Sequence, residues 1–240
     1  MIPKIIHYCW FGRGDMPDLV QEYIALWHHF MPDWDYRLWN EDNFDITLIP
    51  YCKEAYEAKK YAFVSDYVRL WALEREGGVY FDTDVEVFKP FDDLLGYSAF
   101  AGFEGSKQMP VGTGIMASEA HGLWVNEMLE AYKERHFMNA DGSYDLTTNV
   151  EFISTLMRKH GFAQNGKEQD YKDLHVFPTE YFCPRQTTGE FLLTENTYCD
   201  HHFMGTWTEH VKGWKTLLLN LFGQKGRIWI IKAKRKLENL

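Results

Sequence analysis

Four cysteines are all the chain has: Cys9, Cys52, Cys183 and Cys199, with no Cys-x-x-Cys pair among them. That excludes a zinc site of ordinary spacing and leaves reduced thiols as the expectation. No stretch reaches the roughly 18 apolar residues of a membrane-spanning helix. The first residues, Met-Ile-Pro-Lys-Ile-Ile-His-Tyr-Cys-Trp, hold one charge and too short an apolar run for a signal peptide. A cytoplasmic protein is expected. Internal repeats and low-complexity segments are absent, which sets aside solenoids and linkers. Positive charge is scarce as well. The net charge of −10 argues against a general nucleic-acid partner.

The 240 residues are 45% apolar and 17% aromatic, enough for one large domain with a substantial core. Charge is uneven along the chain. Residues 211–240 hold eight Lys/Arg and one Glu, whereas the first 210 hold 17 basic and 34 acidic residues. We read 1–210 as the main domain and 211–240 as a basic, amphipathic, helical tail. Such a tail suits either an anionic membrane surface, on the inner face of the cell membrane, or a cap on the domain.

Lys4 to Phe11 reads as a buried strand, Leu19 to Phe30 as a helix and Asp35 to Asn40 as a second strand. This order predicts an α/β unit with a parallel pair. Glu54 to Glu76 lacks Gly and Pro, and predicts one long helix ended by Gly77-Gly78. Further strands are expected at Val85–Phe88, Ser98–Phe103, Gly114–Ala117 and Leu174–Phe177. Helices are expected at Leu123–Arg135 and Val150–His160.

The most informative stretch is Gly-Gly-Val-Tyr-Phe-Asp-Thr-Asp-Val-Glu at 77 to 86. Asp82 and Asp84 are two residues apart, so on an extended strand tip both carboxylates face one side. There they suit one hard cation that keeps positions open for phosphate oxygens. A solvated acidic turn is the plain alternative. Just upstream, Asp66 and Arg69 lie in an almost wholly apolar helix, where charges need partners. They pair with each other, or they face a polar site in which Arg69 meets phosphate and Asp66 meets sugar hydroxyls. Trp10 ends the first strand, where an aromatic packs in the core or stacks on a base. Near the end, His201 and His202 point opposite ways if extended, so one of them at most joins a single metal. Imidazole suits Mn2+ better than Mg2+.

Together, Ile2 to Trp10, Ser65-Asp66-Tyr67-Val68-Arg69-Leu70, Gly77 to Glu86 and His201 to Trp207 resemble the DXD-containing glycosyltransferases of family 32. These include bacterial capsule sugar transferases and the yeast initiating mannosyltransferase, and their core is similar to the glucosylating domains of large clostridial toxins. The resemblance implies a GT-A fold, a Rossmann-like α/β/α sandwich, here with a C-terminal helical extension. It implies Mn2+ (or Mg2+), a nucleotide sugar donor with UDP favoured over GDP, and a glycan or lipid-linked glycan acceptor. By resemblance, Trp10 stacks on the base, Tyr80 helps hold the nucleotide, and Asp66 and Arg69 contact sugar and phosphate. Asp82 meets ribose or sugar hydroxyls and the metal, Asp84 ligates the metal, and His201 or His202 is the late ligand. Thr206 and Trp207 fall where such enzymes contact the diphosphate. Anomeric configuration is expected to be retained. Glu104 and Asp145 are candidate acceptor-site acids to which the sequence gives no weight.

The same acids admit two other readings. Aspartyl phosphatases share hydrophobic-Asp-x-Asp but need a Thr where this chain has Glu86. A non-catalytic carbohydrate-binding protein could use the same acids for Ca2+. It predicts sugar binding without nucleotide.

Overall fold

The computed structural model describes residues 1–105, 110–185 and 191–204. Contacts divide the chain into Met1–Phe203 and Met204–Leu240. Thr206, Trp207 and the expected tail helices lie outside the described residues.

The chain opens with β1 (Ile5–Cys9), α1 (Asp18–Phe30) and β2 (Asp35–Trp39). β1 and β2 pair in parallel from Ile5↔Asp35 to Cys9↔Trp39, as their order predicts. The expected long helix is instead two: α2 (Pro50–Glu57) and α3 (Tyr61–Glu76). Lys59 takes a left-handed backbone (φ 58°), and the Lys60 amide reaches back 2.8 Å to the Ala55 carbonyl. That is a helix-ending motif normally signalled by Gly. Ala58-Lys59-Lys60 contains none, so composition did not reveal the break. Its effect is that α2 packs back on α3.

Gly77 and Gly78 then turn the chain into β3 (Gly78–Phe81). Gly78 has φ 110°, and a Cβ there would stand 2.7 Å from the Ile5 carbonyl oxygen, so only glycine fits. His7 fastens this corner from β1. Its Nδ1 accepts the Trp39 indole N–H (3.0 Å), leaving Nε2 to donate to the Gly77 carbonyl (2.7 Å). Burial lowers the His7 pKa, which keeps the ring neutral for both bonds.

After β4 (Val85–Val87) come β5 (Ala99–Phe103), β6 (Val111–Ser118), α4 (Leu123–Tyr132) and α5 (Asn149–Lys159). Next are β7 (Gln169–Tyr171), β8 (Leu174–Phe177) and β9 (Cys199–His201). Among the described residues, seven strands form one mixed sheet in the order β2-β1-β3-β6-β5-β8-β7, and β4 pairs with β9 apart from it. Apolar side chains alternate across the sheet. Val79, Phe81 and Ile115 join the cluster containing Trp27 of α1. Tyr80 and Met116 join the opposite cluster, with Val68 of α3 and Trp124 of α4. The result is a helix–sheet–helix sandwich. All four cysteines are buried and free. Burial pushes the Cys9 thiol up to about 12, which removes it as a nucleophile.

Candidate active site

The polar site gathers where α3, the end of β3 and the β4·β9 ladder meet. Asp82 to Asp84 is a turn rather than an extended strand tip: the Val85 amide closes it on the Asp82 carbonyl at 3.1 Å. The carboxylates nevertheless converge. His201 Nε2 lies 3.1 Å from Asp84 Oδ1 and 3.6 Å from Asp82 Oδ2. Ligand atoms of Asp82, Asp84 and His201 all lie within 4.8 Å of one another. Two carboxylates and an imidazole form a donor set suited to a divalent ion that tolerates nitrogen. The local chain makes room for it. At Gly114 a Cβ would stand 2.5 Å from His201 Cε1 and 3.0 Å from Asp82 Oδ2. His201 Nδ1 is buried without a hydrogen-bond partner among the described residues. Burial alone would lower the His201 pKa, but the carboxylates of Asp84, Asp82 and Glu104 raise it to about 9. Without a metal the ring is therefore an imidazolium held by these acids.

Arg69 is the keystone of the adjoining group. A guanidinium has five N–H donors, and all three nitrogens of Arg69 lie against protein oxygens. Nε meets the Ser65 carbonyl at 3.2 Å, and Nη1 meets the Thr113 carbonyl at 2.6 Å and Asp82 Oδ2 at 3.4 Å. Nη2 meets Asp66 Oδ1 at 3.0 Å and Asp82 Oδ1 at 3.3 Å. Through Nη2, Arg69 holds both Asp66 and Asp82. Its guanidinium also lies 4.6 Å from the Tyr80 ring centroid, and the Tyr80 hydroxyl donates to Asp82 Oδ1 at 2.9 Å. Burial pushes Asp66 up to about 6, against the pull of Arg69.

A slip in the β5·β6 ladder builds the floor. Ala101 faces Met116 and Phe103 faces Val111, so Gly112 to Ile115 stand against Gly102 alone. Bulged strands re-aim groups in this way beside active sites. The Gly114 carbonyl receives the Asp82 amide at 2.8 Å, which carries the β3·β6 pairing one residue further, and the Thr113 carbonyl receives Arg69. Gly112 backs Glu104: a Cβ there would lie 2.9 Å from Glu104 Cγ. Burial pushes the Glu104 carboxyl up to about 7, offset in part by His201.

Trp10 is half-buried at the end of β1, its indole N–H fixed on the Gly14 carbonyl at 2.6 Å. His202 does not join the Asp82–Asp84–His201 group. Its Nε2 lies 2.8 Å from Glu86 Oε2 and 3.7 Å from Asp200 Oδ2, on the other face of the β4·β9 ladder. Arg185 closes that group, with Nη2 2.6 Å from Asp200 Oδ2, and Tyr23 stacks on the His202 ring. Asp145 is bound by Arg135 at 2.8 Å and accepts the Thr147 amide at 3.0 Å. Sequence reasoning gave no weight to Glu104 and missed the two glycines of β6. The Gly112-Thr113-Gly114 run was the available signal.

Residues 17–101 match the family model described as a glycosyltransferase sugar-binding region containing the DXD motif. The chain is 34% identical over 95 residues to glucan organizing enzyme 1 of Cryptococcus neoformans, covering 36% of this chain and 26% of that protein. It is 32% identical over 103 residues to inositol phosphoceramide mannosyltransferase 3 of Schizosaccharomyces pombe, covering 41% of this chain and 29% of that protein. Mannosyl phosphorylinositol ceramide synthase CSH1 of Saccharomyces cerevisiae is 26% identical over 193 residues, covering 72% of this chain and 49% of that protein. The matches thus span about a quarter to a half of these relatives. Among solved structures, the PaToxG glycosyltransferase superposes with a TM-score of 0.53 at 16% identity, covering 67% of this chain and 70% of that one. That likeness carries the fold, an α/β sandwich around a mixed sheet as in GT-A glycosyltransferases. Asp66, Arg69, Tyr80, Asp82 and Asp84 all fall within the matched residues 17–101, the segment of the chain that is similar to glycosyltransferase sugar-binding regions containing the DXD motif.

Proposed function

We propose that the chain is a metal-dependent, retaining hexosyltransferase that moves a sugar from a nucleoside diphosphate to a hydroxyl of a glycan or lipid-linked acceptor. The observation that carries this reading is the convergence of Asp82, Asp84 and His201 within 4.8 Å, beside the Arg69–Asp66 pair. Asp82, Asp84 and His201 would hold Mn2+ or Mg2+. The ion, when bound, offsets the negative charge that grows on the departing diphosphate. Arg69 keeps Asp66 and Asp82 aimed and adds positive charge to the site. Asp66 receives sugar hydroxyls, its carboxylate already oriented by Nη2 of Arg69. Tyr80 fixes Asp82 through its hydroxyl, and Trp10 offers a flat face for the base at the neighbouring strand end.

Two of the relatives above are named for mannosyl transfer to inositol-containing ceramides, which favours mannose as the sugar and a polyol headgroup as the acceptor. UDP- and GDP-linked donors are both in scope. The basic 211–240 segment is proposed to contact an anionic membrane surface, and deletion from residue 223 onward is expected to release the protein from vesicles containing phosphatidylserine. The direct test of the whole reading is a hydrolysis screen of UDP- and GDP-sugars with Mn2+. Mn2+-dependent release of nucleoside diphosphate from one donor is expected. Release from none would contradict the reading.

A further inference from the structure

Phe203 breaks two local rules at once. Its backbone is left-handed (φ 49°), where a bulky side chain is strained and stays only if its surroundings hold it. It is also 49% exposed, whereas most phenylalanines of the chain are buried. The β4·β9 ladder ends just before it. Val85 pairs with His201, and the His202 amide donates to the Asp84 carbonyl at 3.2 Å. From this fixed end the Phe203 ring lies against the His201 ring, with centroids 4.1 Å apart and planes at 37°. A half-exposed apolar ring is thus held beside a member of the metal-ligand group.

The sheet order sets a direction across the site. Trp10 ends β1, Asp82 follows the neighbouring β3, and β6 comes next. His201 lies over β6, since a Cβ at Gly114 would stand 2.5 Å from its Cε1. Neighbouring strands are roughly 4.8 Å apart, so Trp10 and His201 flank Asp82 from opposite sides. We propose that Phe203 is the stacking platform for the hexose ring of the donor. This rests on the transferase reading above. With the base at Trp10 and the diphosphate at Asp82 and Asp84, the sugar falls on the His201 side. A pyranose carries hydroxyls around its edge and C–H bonds on its faces. Asp66 meets the edge. Phe203 covers a face, where the negative face of its ring attracts the C–H bonds.

The test uses Phe203→Gly, which keeps a left-handed backbone without strain, and Phe203→Tyr, which keeps the ring. Both are made in the full chain and assayed with Mn2+ and water as acceptor. The rate read is nucleoside diphosphate release from whichever UDP- or GDP-sugar the wild type turns over fastest. A stacking contact is made before the reaction as well as during it, so its loss falls on KM rather than on kcat. Phe203→Gly is expected to raise KM for that donor roughly tenfold and to change kcat by less than about threefold. Calorimetry is expected to show it binding bare UDP or GDP with Mn2+ as tightly as the wild type does. Phe203→Tyr is expected to match the wild type in KM, kcat and nucleotide binding. An unchanged KM in Phe203→Gly would overturn the assignment. So would weakened binding of the bare nucleotide in that variant, which would mean that the ring only supports His201. A wild type that releases nucleoside diphosphate from no donor would instead sink the transferase reading on which the assignment stands.

Discussion

The two faces of the β4·β9 ladder carry the same kinds of residue and are wired differently. One face presents Asp82, Asp84 and His201, and the other presents Glu86, Asp200 and His202. The second group is closed. Arg185 lies on Asp200 through two nitrogens at 2.6 and 2.7 Å, Tyr23 covers His202, and the Asp200 side chain is 1% exposed. The first group keeps an opening: the Asp82 side chain is 25% exposed, and Gly114 leaves the His201 ring uncrowded. Two acids and a histidine are therefore not in themselves a cation site. What separates a site from a fastening is whether a guanidinium already fills the place of the ion. Arg69 on the open face lies to one side, bridging Asp66 to Asp82, while His201 faces Asp84.

The sharpest way to break this comparison is to remove one acid from each face. Asp84→Ala is expected to lower donor turnover by roughly 1000-fold while Tm stays within a few degrees. Near-normal turnover would move the ion elsewhere. Arg69→Met strands two acids, and breaking a buried pair costs about 3–5 kcal/mol. A urea titration should register that loss, and an unchanged midpoint would mean that Asp66 and Asp82 do not depend on Arg69. On the closed face, Glu86→Gln is expected to cost about 1–3 kcal/mol, again read by urea, while the nucleotide-dependent rise in Tm survives. Its disappearance would show that the closed face also binds.

The smallest effect is in pH. His201, Glu104 and Asp66 are all raised in the folded chain, to about 9, 7 and 6. Groups raised on folding bind more protons folded than unfolded. Their contribution is complete below the unfolded values and is lost as pH climbs through the folded ones. For His201 that window runs from the ordinary value of 6.5 up to about 9. Without divalent cation, Tm is expected to fall across that window, and to fall less in His201→Asn. A Tm that rises with pH in the wild type would contradict the pairing of His201 with these acids.

Much of the site was legible because its neighbours are close in sequence. Asp66 and Arg69 share one helix, and a Gly-Gly turn returns the chain to Asp82, so their meeting follows from local rules. The α3 start was not legible, because Lys59 adopts a left-handed backbone without the glycine that usually signals it. Nor was the choice between histidines, which depends on pairing Val85 with His201 across more than a hundred residues. No periodicity encodes such a register. Glu104 was undervalued for the same reason: its place depends on a ladder slip at Gly102. His7 belonged to the recognised N-terminal motif, yet the structure shows it fastening the Gly77 corner.

The central claim is that Asp82, Asp84 and His201 hold a cation that binds a nucleoside diphosphate. Tm measured with UDP and with GDP, each with and without Mn2+, tests it most directly in the wild type and in Asp84→Ala. A rise is expected in the wild type that needs both Mn2+ and nucleotide and is absent in Asp84→Ala. An unchanged wild-type Tm, or a rise that Asp84→Ala retains in full, would contradict it.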